Sequence, residues 1–256
     1  ALTPAAVEAV VFWTKNPAPF LAQLAELDRR GFRYGFLFTL NDYGPELEPG
    51  VPPLAERVAT FRQLARRLGA NRLVWRYDPI ILSARYPADW HLSRFAYLAD
   101  ALRGGTGRVV VSYLDWYRKT TRALERLEQA GVDRYVRDAG AHHDSGRLTA
   151  GLAQRAAAAG LTIQSCAEDE RVTAAGIPPG GCLDAAWLRS AFDLEIVDTK
   201  HRGQRPLCRC VPSRDIGTAF TCRLGCRYCY AGARGQESVV SRQRSGVSPD
   251  CHPDEA

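Results

Sequence analysis

The segment YGFLFTL at residues 34–40 is apolar at nearly every position, and an amphipathic helical pattern follows it at 54–68. A strand that is apolar on both faces is typical of a parallel sheet, in which other layers cover both sides. The next such run, at 73–77, is again followed by a helical pattern, at 89–103. This alternation predicts β/α units joined by crossover connections.

The same alternation extends along the chain in both directions. It predicts further strands at 10–14, 109–114 and 161–165, and further helices at 19–30, 117–130 and 148–159. No glycine-rich phosphate-binding fingerprint follows any of these strands, which argues against a dinucleotide-binding sheet. We therefore expect an α/β fold with parallel strands, arranged as a (β/α) barrel or a partial barrel.

The pattern changes near residue 198, beyond which the chain is rich in Cys, Arg and Gly and poor in apolar residues. We expect a barrel-like domain at 1–199 and an irregular Cys-rich segment at 200–256. The second part carries too little apolar surface to fold on a core of its own, so a metal or docking must hold it. Thr3 and Pro4 resemble the start of a helix, and Met is absent, so we expect a truncated N-terminus.

Composition limits the class of protein. The chain has 256 residues, 46% of them apolar and 24% charged, which is typical of a globular protein. No apolar run approaches the roughly 18 residues that cross a bilayer, and no signal peptide is evident, so we expect a cytoplasmic protein without a membrane contact. The formal charge of +6 permits nucleic-acid binding but supports it only weakly.

Charged residues follow the predicted strands. In a parallel barrel these strand ends share one face, where active sites lie. We expect the residues there to form a polar bowl that contacts substrate or cofactor: Lys15, Arg76, Asp78, Asp115, Lys119 and Glu168. The alternative is that the starts of loops are polar in any protein.

The cysteines are concentrated in the second half of the chain. None of the eight precedes Cys166, and CRLGCRYCYA at 222–231 sets three of them at CxxxCxxC spacing. Three thiolates at this spacing, Cys222, Cys226 and Cys229, suit one corner of a 4Fe–4S cube and leave the fourth iron open.

Two alternatives remain for the other cysteines. Cys208 and Cys210 provide a fourth thiolate if the site is a zinc tetrathiolate. They belong instead to a second cluster if Cys166, Cys182 or Cys251 join them. For Cys166 and Cys182 the competing interpretation is that they are small buried hydrophobes.

Several strings in combination resemble one family. They are FWTKNP at 12–17, WRYDP at 75–79, SYLDWYRK at 112–119, CAE at 166–168 and SRDIG at 213–217. The chain resembles the bacterial domain of unknown function 1848 family over about 7–230. In that family the C-terminus carries a cysteine cluster similar to that of radical S-adenosylmethionine (SAM) enzymes.

The loop itself resembles the spore-photoproduct-lyase-like branch of those enzymes, in which an aromatic residue, here Tyr228, precedes the third Cys. The resemblance implies that the open iron binds SAM, that Tyr228 lies at the cofactor, and that SAM is cleaved to a 5′-deoxyadenosyl radical. Radical SAM enzymes carry this loop after their first strand. Here it follows all the predicted strands, so either the tail returns to the barrel mouth or the cluster serves another purpose.

The leading expectation is thus an iron–sulfur enzyme of radical SAM type, with a flavodoxin or ferredoxin as electron donor. A non-enzymatic 4Fe–4S electron carrier or redox sensor is the first alternative. A zinc-stapled binding module, for nucleic acid among other partners, is the second. A polar bowl favours the enzyme, because a carrier has no need of one.

Overall fold

A computed structural model of the chain describes residues 2–200, 203–218 and 220–231. Within them one sheet contains six strands: β1 (Val10–Thr14), β2 (Tyr34–Thr39), β3 (Leu73–Ile80), β4 (Arg108–Tyr113), β5 (Thr162–Cys166) and β6 (Pro179–Gly180). Every neighbouring pair is parallel, and the order in the sheet is the order in the sequence. The α/β class predicted from the apolar strands is confirmed.

Seven α-helices accompany these strands: α1 (Leu24–Arg29), α2 (Leu54–Leu68), α3 (Ala88–Ala101), α4 (Arg118–Gln129), α5 (Ser145–Ala158), α6 (Glu170–Ala174) and α7 (Ala185–Phe192). The helix expected at 19–30 is a 3-10 turn, Ala18–Gln23, that continues into the short α1. Thr3 and Pro4 begin a turn and not a helix. Among the described residues, no helix combines the length and the apolar content needed to cross a bilayer.

Sequential strand order gives the sheet two different faces. Because parallel crossovers are right-handed, a sheet without a reversal of strand order has its crossover helices on one side. Phe36, Trp75 and Val109 point to that side and pack with helices α2, α3 and α5. Their neighbours along the strands point to the opposite, inner face, as in a partial barrel whose edges are β1 and β6.

The inner face is covered by α7 and by part of the tail. Leu37 and Val74, on neighbouring strands, share an apolar cluster with Trp187 and Phe192 of α7. The same cluster contains the segment 208–211. The described part of the Cys-rich segment therefore packs inside the partial barrel, where a closed barrel would have the side chains of opposite strands.

A buried histidine connects α3 to the end of β3. His91 is fully buried; its Nε2 lies 3.0 Å from the Ile81 carbonyl oxygen and its Nδ1 lies 2.8 Å from the Tyr77 hydroxyl. Burial lowers the pKa of His91 from 6.5 to about 4. The imidazole is thus neutral, with Nε2–H donating to the carbonyl and Nδ1 accepting from the phenol.

This histidine predicts a loss of stability in mild acid. Between pH 6.5 and 4 the unfolded chain binds a proton at His91 that the folded chain does not, so the free energy of unfolding falls as the pH falls. His91 alone contributes a loss of about 2 kcal/mol from pH 7 to pH 5. Glu168, whose pKa is raised to about 7, acts in the opposite direction over this range, so the test compares variants. In urea unfolding at both pH values, His91→Gln should lose about 2 kcal/mol less than the wild type, because it lacks the titrating group.

The exposed His143 provides the matched control. His143→Gln should retain the loss of stability that the wild-type protein shows between pH 7 and pH 5. An equal loss in His91→Gln and in the wild type would contradict the assignment of this pH dependence to His91.

Candidate metal centre at the strand ends

The ends of β3 and β4 carry a compact polar group on the inner face. The Arg76 guanidinium forms an ion pair with Asp78, and the Ser112 hydroxyl donates to the other oxygen of the same carboxylate. Asn41 braces this group, since its amide nitrogen donates to the Asp78 carbonyl at 2.9 Å and its amide oxygen accepts from Asp78 N–H at 3.1 Å. Arg76 Nε is buried without a hydrogen-bond partner.

A second polar group lies beside it, at the ends of β4 and β5. Glu168 Oε1 accepts the Tyr113 N–H at 2.8 Å, and Asp115 forms an ion pair with Arg205 of the tail. Burial raises the pKa of Glu168 to about 7; the hydrogen bond from Tyr113 opposes the rise and the Asp115 carboxylate adds to it. Ala167, just before Glu168, has a φ of 57°, a region that residues with a β-carbon rarely adopt.

A third group contains a buried carboxylate that strand ends alone do not reveal. Glu48, in the connection from β2 to α2, is 3% exposed. Its Oε1 lies 2.9 Å from Lys15 Nζ, and it accepts a hydrogen bond from the Tyr228 hydroxyl. The Lys15 ammonium also lies 5.5 Å from the centroid of the Tyr228 ring. One acid thus holds the end of β1 and the cysteine loop together.

Backbone hydrogen bonds fix the cysteine loop to the β2–α2 connection. Gly50 N–H donates to the Leu224 carbonyl at 2.9 Å, and Arg227 N–H donates to the Leu47 carbonyl at 2.9 Å. On the other side, the hydroxyl of Thr120 in α4 donates to the Tyr228 carbonyl at 3.3 Å. The tail therefore returns to the carboxyl ends of the strands, which is one of the two arrangements expected for a loop so late in the chain.

Two of the three cysteines of this loop, Cys226 and Cys229, lie in one turn, and Cys222 precedes it. Cys229 N–H donates to the Cys226 carbonyl at 3.1 Å, and both side chains are half-buried, whereas Cys222 is exposed. Burial raises the pKa of Cys226 to about 11, Lys15 opposes the rise, and the two other thiols of the loop add to it. Three thiols beside one ammonium suit a thiophilic metal centre whose negative charge the lysine offsets.

Cys208 and Cys210 belong to a different group of thiols. They lie in the inner apolar cluster with Cys166 and Cys182, where all four side chains are buried. The structure thus brings together the members of the second proposed site among the described residues. Cys251, the remaining member, lies outside the described residues.

A smaller set of possible metal ligands lies at the start of α5. The ligand atoms of His142, His143 and Asp144 are within 4.8 Å of one another. Asp144 is also engaged by Arg147 at 3.1 Å, and the three residues are consecutive in a surface turn. This arrangement is a weaker candidate than either cysteine group.

The residues predicted at the strand ends have the following positions. Arg76 and Asp78 pair directly, Asp115 and Glu168 lie beside them, and Lys15 lies at the cysteine loop, where Lys119 is 5.6 Å from the Phe220 ring. The sequence analysis missed three polar participants: Glu48, Ser112 and Arg205. Of these, only Ser112 had a signal, since it directly follows the apolar run of β4, two residues after Val110 and on the same face.

Gly50 allows a direct test of how the loop is held. A β-carbon at Gly50 would lie 2.8 Å from the Leu224 carbonyl oxygen and 2.9 Å from that of Arg223, so Gly50→Ala should force the loop away. Overpacking of this kind costs about 1–3 kcal/mol. This cost opposes docking of the loop, so in reduced, metal-free protein we expect Cys226 to be alkylated about tenfold faster or more.

The control for this variant is Gly107→Ala, because a β-carbon at Gly107 would meet no atom within 4 Å. Its alkylation rate should equal that of the wild-type protein. If Gly50→Ala also reacts at the wild-type rate, the loop is not held through this contact.

Comparison with known proteins places the chain in a family without a described activity. A family model described as a domain of unknown function (DUF1848) matches residues 1–231. No curated protein and no solved structure matches the chain.

Proposed function

Because the chain belongs to the DUF1848 family, a domain of unknown function, we propose an activity from its own residues. We propose an iron–sulfur enzyme of radical SAM type, with a 4Fe–4S cluster on Cys222, Cys226 and Cys229. One observation carries the proposal: the loop with these cysteines is fastened across the strand ends, beside a largely buried group of opposite charges.

The positions of the remaining cysteines support three protein ligands for this cluster. Cys208 and Cys210 share a buried cluster with Cys166 and Cys182, which supports assigning this pair to a site other than the loop. A cluster that only carries electrons usually has four protein thiolates, whereas one that binds a small molecule keeps an open iron. A 4Fe–4S cluster held by these three cysteines would, once reduced by one electron, supply the reductive cleavage of SAM.

The neighbouring side chains suit a zwitterionic ligand. Arg76 and Arg205 place two guanidinium groups near the mouth, and such groups bind a carboxylate in bidentate fashion. Asp78, Asp115 and Glu168 provide acceptors for an ammonium group or for hydroxyls. The α-amino carboxylate and ribose of SAM offer these groups, and the substrate then lies against the same carboxylates.

The buried Glu48 has a positioning role in this proposal. Lys15 and Tyr228 both contact its carboxylate, so the ammonium stays beside Cys226 and the phenol ring stays in the core. Tyr228 thus anchors the loop by packing in the core and by the hydrogen bond of its hydroxyl to Glu48. Its position before the third Cys does not by itself indicate this anchoring role.

A second candidate function, electron transfer without SAM, is favoured by the exposure of Cys222. An exposed ligand brings a cluster close to the surface, where a flavodoxin or ferredoxin docks. In the radical SAM proposal the same exposure provides the entry point for the single electron. The two functions are therefore separated by SAM cleavage and not by the electron donor.

The cluster proposal predicts iron bound by the loop. Anaerobically reconstituted protein should contain about four irons with matching sulfide and show a broad brown absorption. The combined variant Cys222→Ser, Cys226→Ser and Cys229→Ser should lose nearly all of this iron. Iron and sulfide analysis together with the visible spectrum provide the measurement.

The matched control is Cys251→Ser, a cysteine outside the loop, which should retain most of the iron at the loop. Zinc in place of iron at the loop of anaerobic protein would contradict the cluster proposal and favour a zinc-stapled module.

The enzyme proposal predicts cleavage of SAM. With dithionite as reductant, SAM should yield 5′-deoxyadenosine and methionine even without the true substrate, and its addition should shift the electron paramagnetic signal of the reduced cluster. The variant Arg76→Lys should retain the cluster but bind SAM about tenfold more weakly, because a lysine does not reproduce the bidentate contact. An iron-loaded protein with no deoxyadenosine and no shift is an electron carrier or sensor.

A further inference from the structure

Four cysteines outside the loop meet inside the sheet. Cys166 is the last residue of β5, Cys182 follows β6, and Cys208 and Cys210 come from the tail. They are 6, 4, 5 and 8% exposed, and they lie in one apolar cluster with the inner faces of β2, β3 and β4. Three separate stretches of chain thus bring their thiols to one point.

Two of the thiols are in direct contact, and the other two lie in the same cluster. The sulfur atoms of Cys166 and Cys182 lie 3.2 Å apart. The Cys210 thiol interacts with all three others: Cys166, Cys182 and Cys208. A free cysteine in a core normally packs as a small hydrophobe among carbon atoms. Four cysteines that pack in one cluster need a different explanation.

The surroundings are arranged for negatively charged sulfur. Leu183 N–H donates to Cys210 Sγ at 3.4 Å, and Cys210 N–H donates to Cys208 Sγ at 3.5 Å. Two cations are also close, since Arg76 interacts with Cys166 and Cys182, and Arg205 interacts with Cys166 and Cys208. Such amide donors and cations are the outer partners that stabilise thiolate ligands.

We propose that Cys166, Cys182, Cys208 and Cys210 bind one zinc ion as a tetrathiolate. Zinc–sulfur bonds of 2.3 Å put the sulfurs of a tetrahedral site roughly 3.8 Å apart, and the Cys166 and Cys182 sulfurs lie 3.2 Å apart. In a cubane each thiolate binds a different iron, so its sulfurs stand much farther apart than those that share one ion. The contact between Cys166 and Cys182 therefore favours a single ion over a second iron–sulfur cluster.

Gly181 leaves the space through which the tail reaches this site. A β-carbon at Gly181 would lie 2.9 Å from the Arg209 carbonyl carbon and oxygen and from Cys210 N. The backbone of the Cys208–Cys210 turn thus rests directly on the glycine beside Cys182. Any larger residue there moves two of the four ligands away from the other two.

The site is structural in this proposal. Four protein ligands saturate tetrahedral zinc and leave no position for water or substrate. Zinc replaces the thiol protons, which are released to solvent, and no electron is transferred. The ion holds the tail against β5 and β6 and leaves the cysteine loop, with its own three thiols, free for a different metal.

The test uses the full chain with the loop cysteines replaced by serine, at Cys222, Cys226 and Cys229. Elemental analysis should find about one zinc per chain and little iron. X-ray absorption at the zinc edge should show four sulfur neighbours at about 2.3 Å. Zinc should be lost when Cys208→Ser and Cys210→Ser are added. Gly181→Ala should bind zinc at least about tenfold more weakly. Gly146→Ala, whose β-carbon would meet no atom within 4 Å, should bind zinc as tightly as the parent protein.

Folding of the variants does not decide the result. If the variants without Cys208 and Cys210 aggregate, the test uses the protein that retains all four inner cysteines. Its zinc is removed and cobalt is added. The visible absorption of cobalt bound by four thiolates then reports the site. Iron with sulfide at these four cysteines, disulfides among them in protein denatured without reductant, or four thiols that bind neither zinc nor cobalt would each overturn the proposal. None of these outcomes bears on iron at the loop.

Discussion

An open sheet of six parallel strands must cover its inner face without the opposite strands that close a barrel. Here α7 and the segment 208–211 provide that cover, and the apolar side chains of three central strands pack against them. The position of the cysteine loop at the strand ends depends on this packing of the segment 208–211. Once the tail enters the sheet, its next stretch emerges at the strand ends, within reach of Lys15 and Glu48.

Charge burial at the mouth is balanced in pairs. Arg76 faces Asp78 and Lys15 faces Glu48, so each of these largely buried charges has a partner of opposite sign, and the more exposed Arg205 faces Asp115. Removing one member leaves the other uncompensated, which costs more than the pair contributes. Glu168 forms no ion pair with the residues that the structure describes; Arg205 lowers its pKa, but desolvation outweighs this and raises the pKa to about 7.

The sequence predicted the elements with strong periodicity and missed those fixed by distant contacts. The strand at 10–14 and the helix at 54–68 have the predicted bounds, because continuous apolar runs and amphipathic patterns are local signals. The strand β6 consists of Pro179 and Gly180, which have low strand propensity, and only pairing with β5 makes it a strand. The short α7 did have a local signal, since Asp184 caps it by accepting from Trp187 N–H.

The residues of the candidate site also fall into those that local sequence patterns predict and those that distant contacts determine. Strand ends led directly to Arg76, Asp78 and Glu168, whereas Glu48 lies in an irregular connection and is buried only because the cysteine loop, about 180 residues later, covers it. Spacing alone left Cys208 and Cys210 free to join either the loop or the earlier cysteines. Their pairing with Cys166 and Cys182 depends on β5 and β6 being neighbours, which no local pattern records.

The use of a late segment as core has a consequence for biosynthesis. Residues 208–211 leave the ribosome only after all six strands and α7 have emerged, so until then the part of the inner apolar face that this segment covers stays open. During this interval the nascent chain presents a concave apolar surface that a chaperone is able to bind. A chain interrupted before this segment keeps that surface exposed.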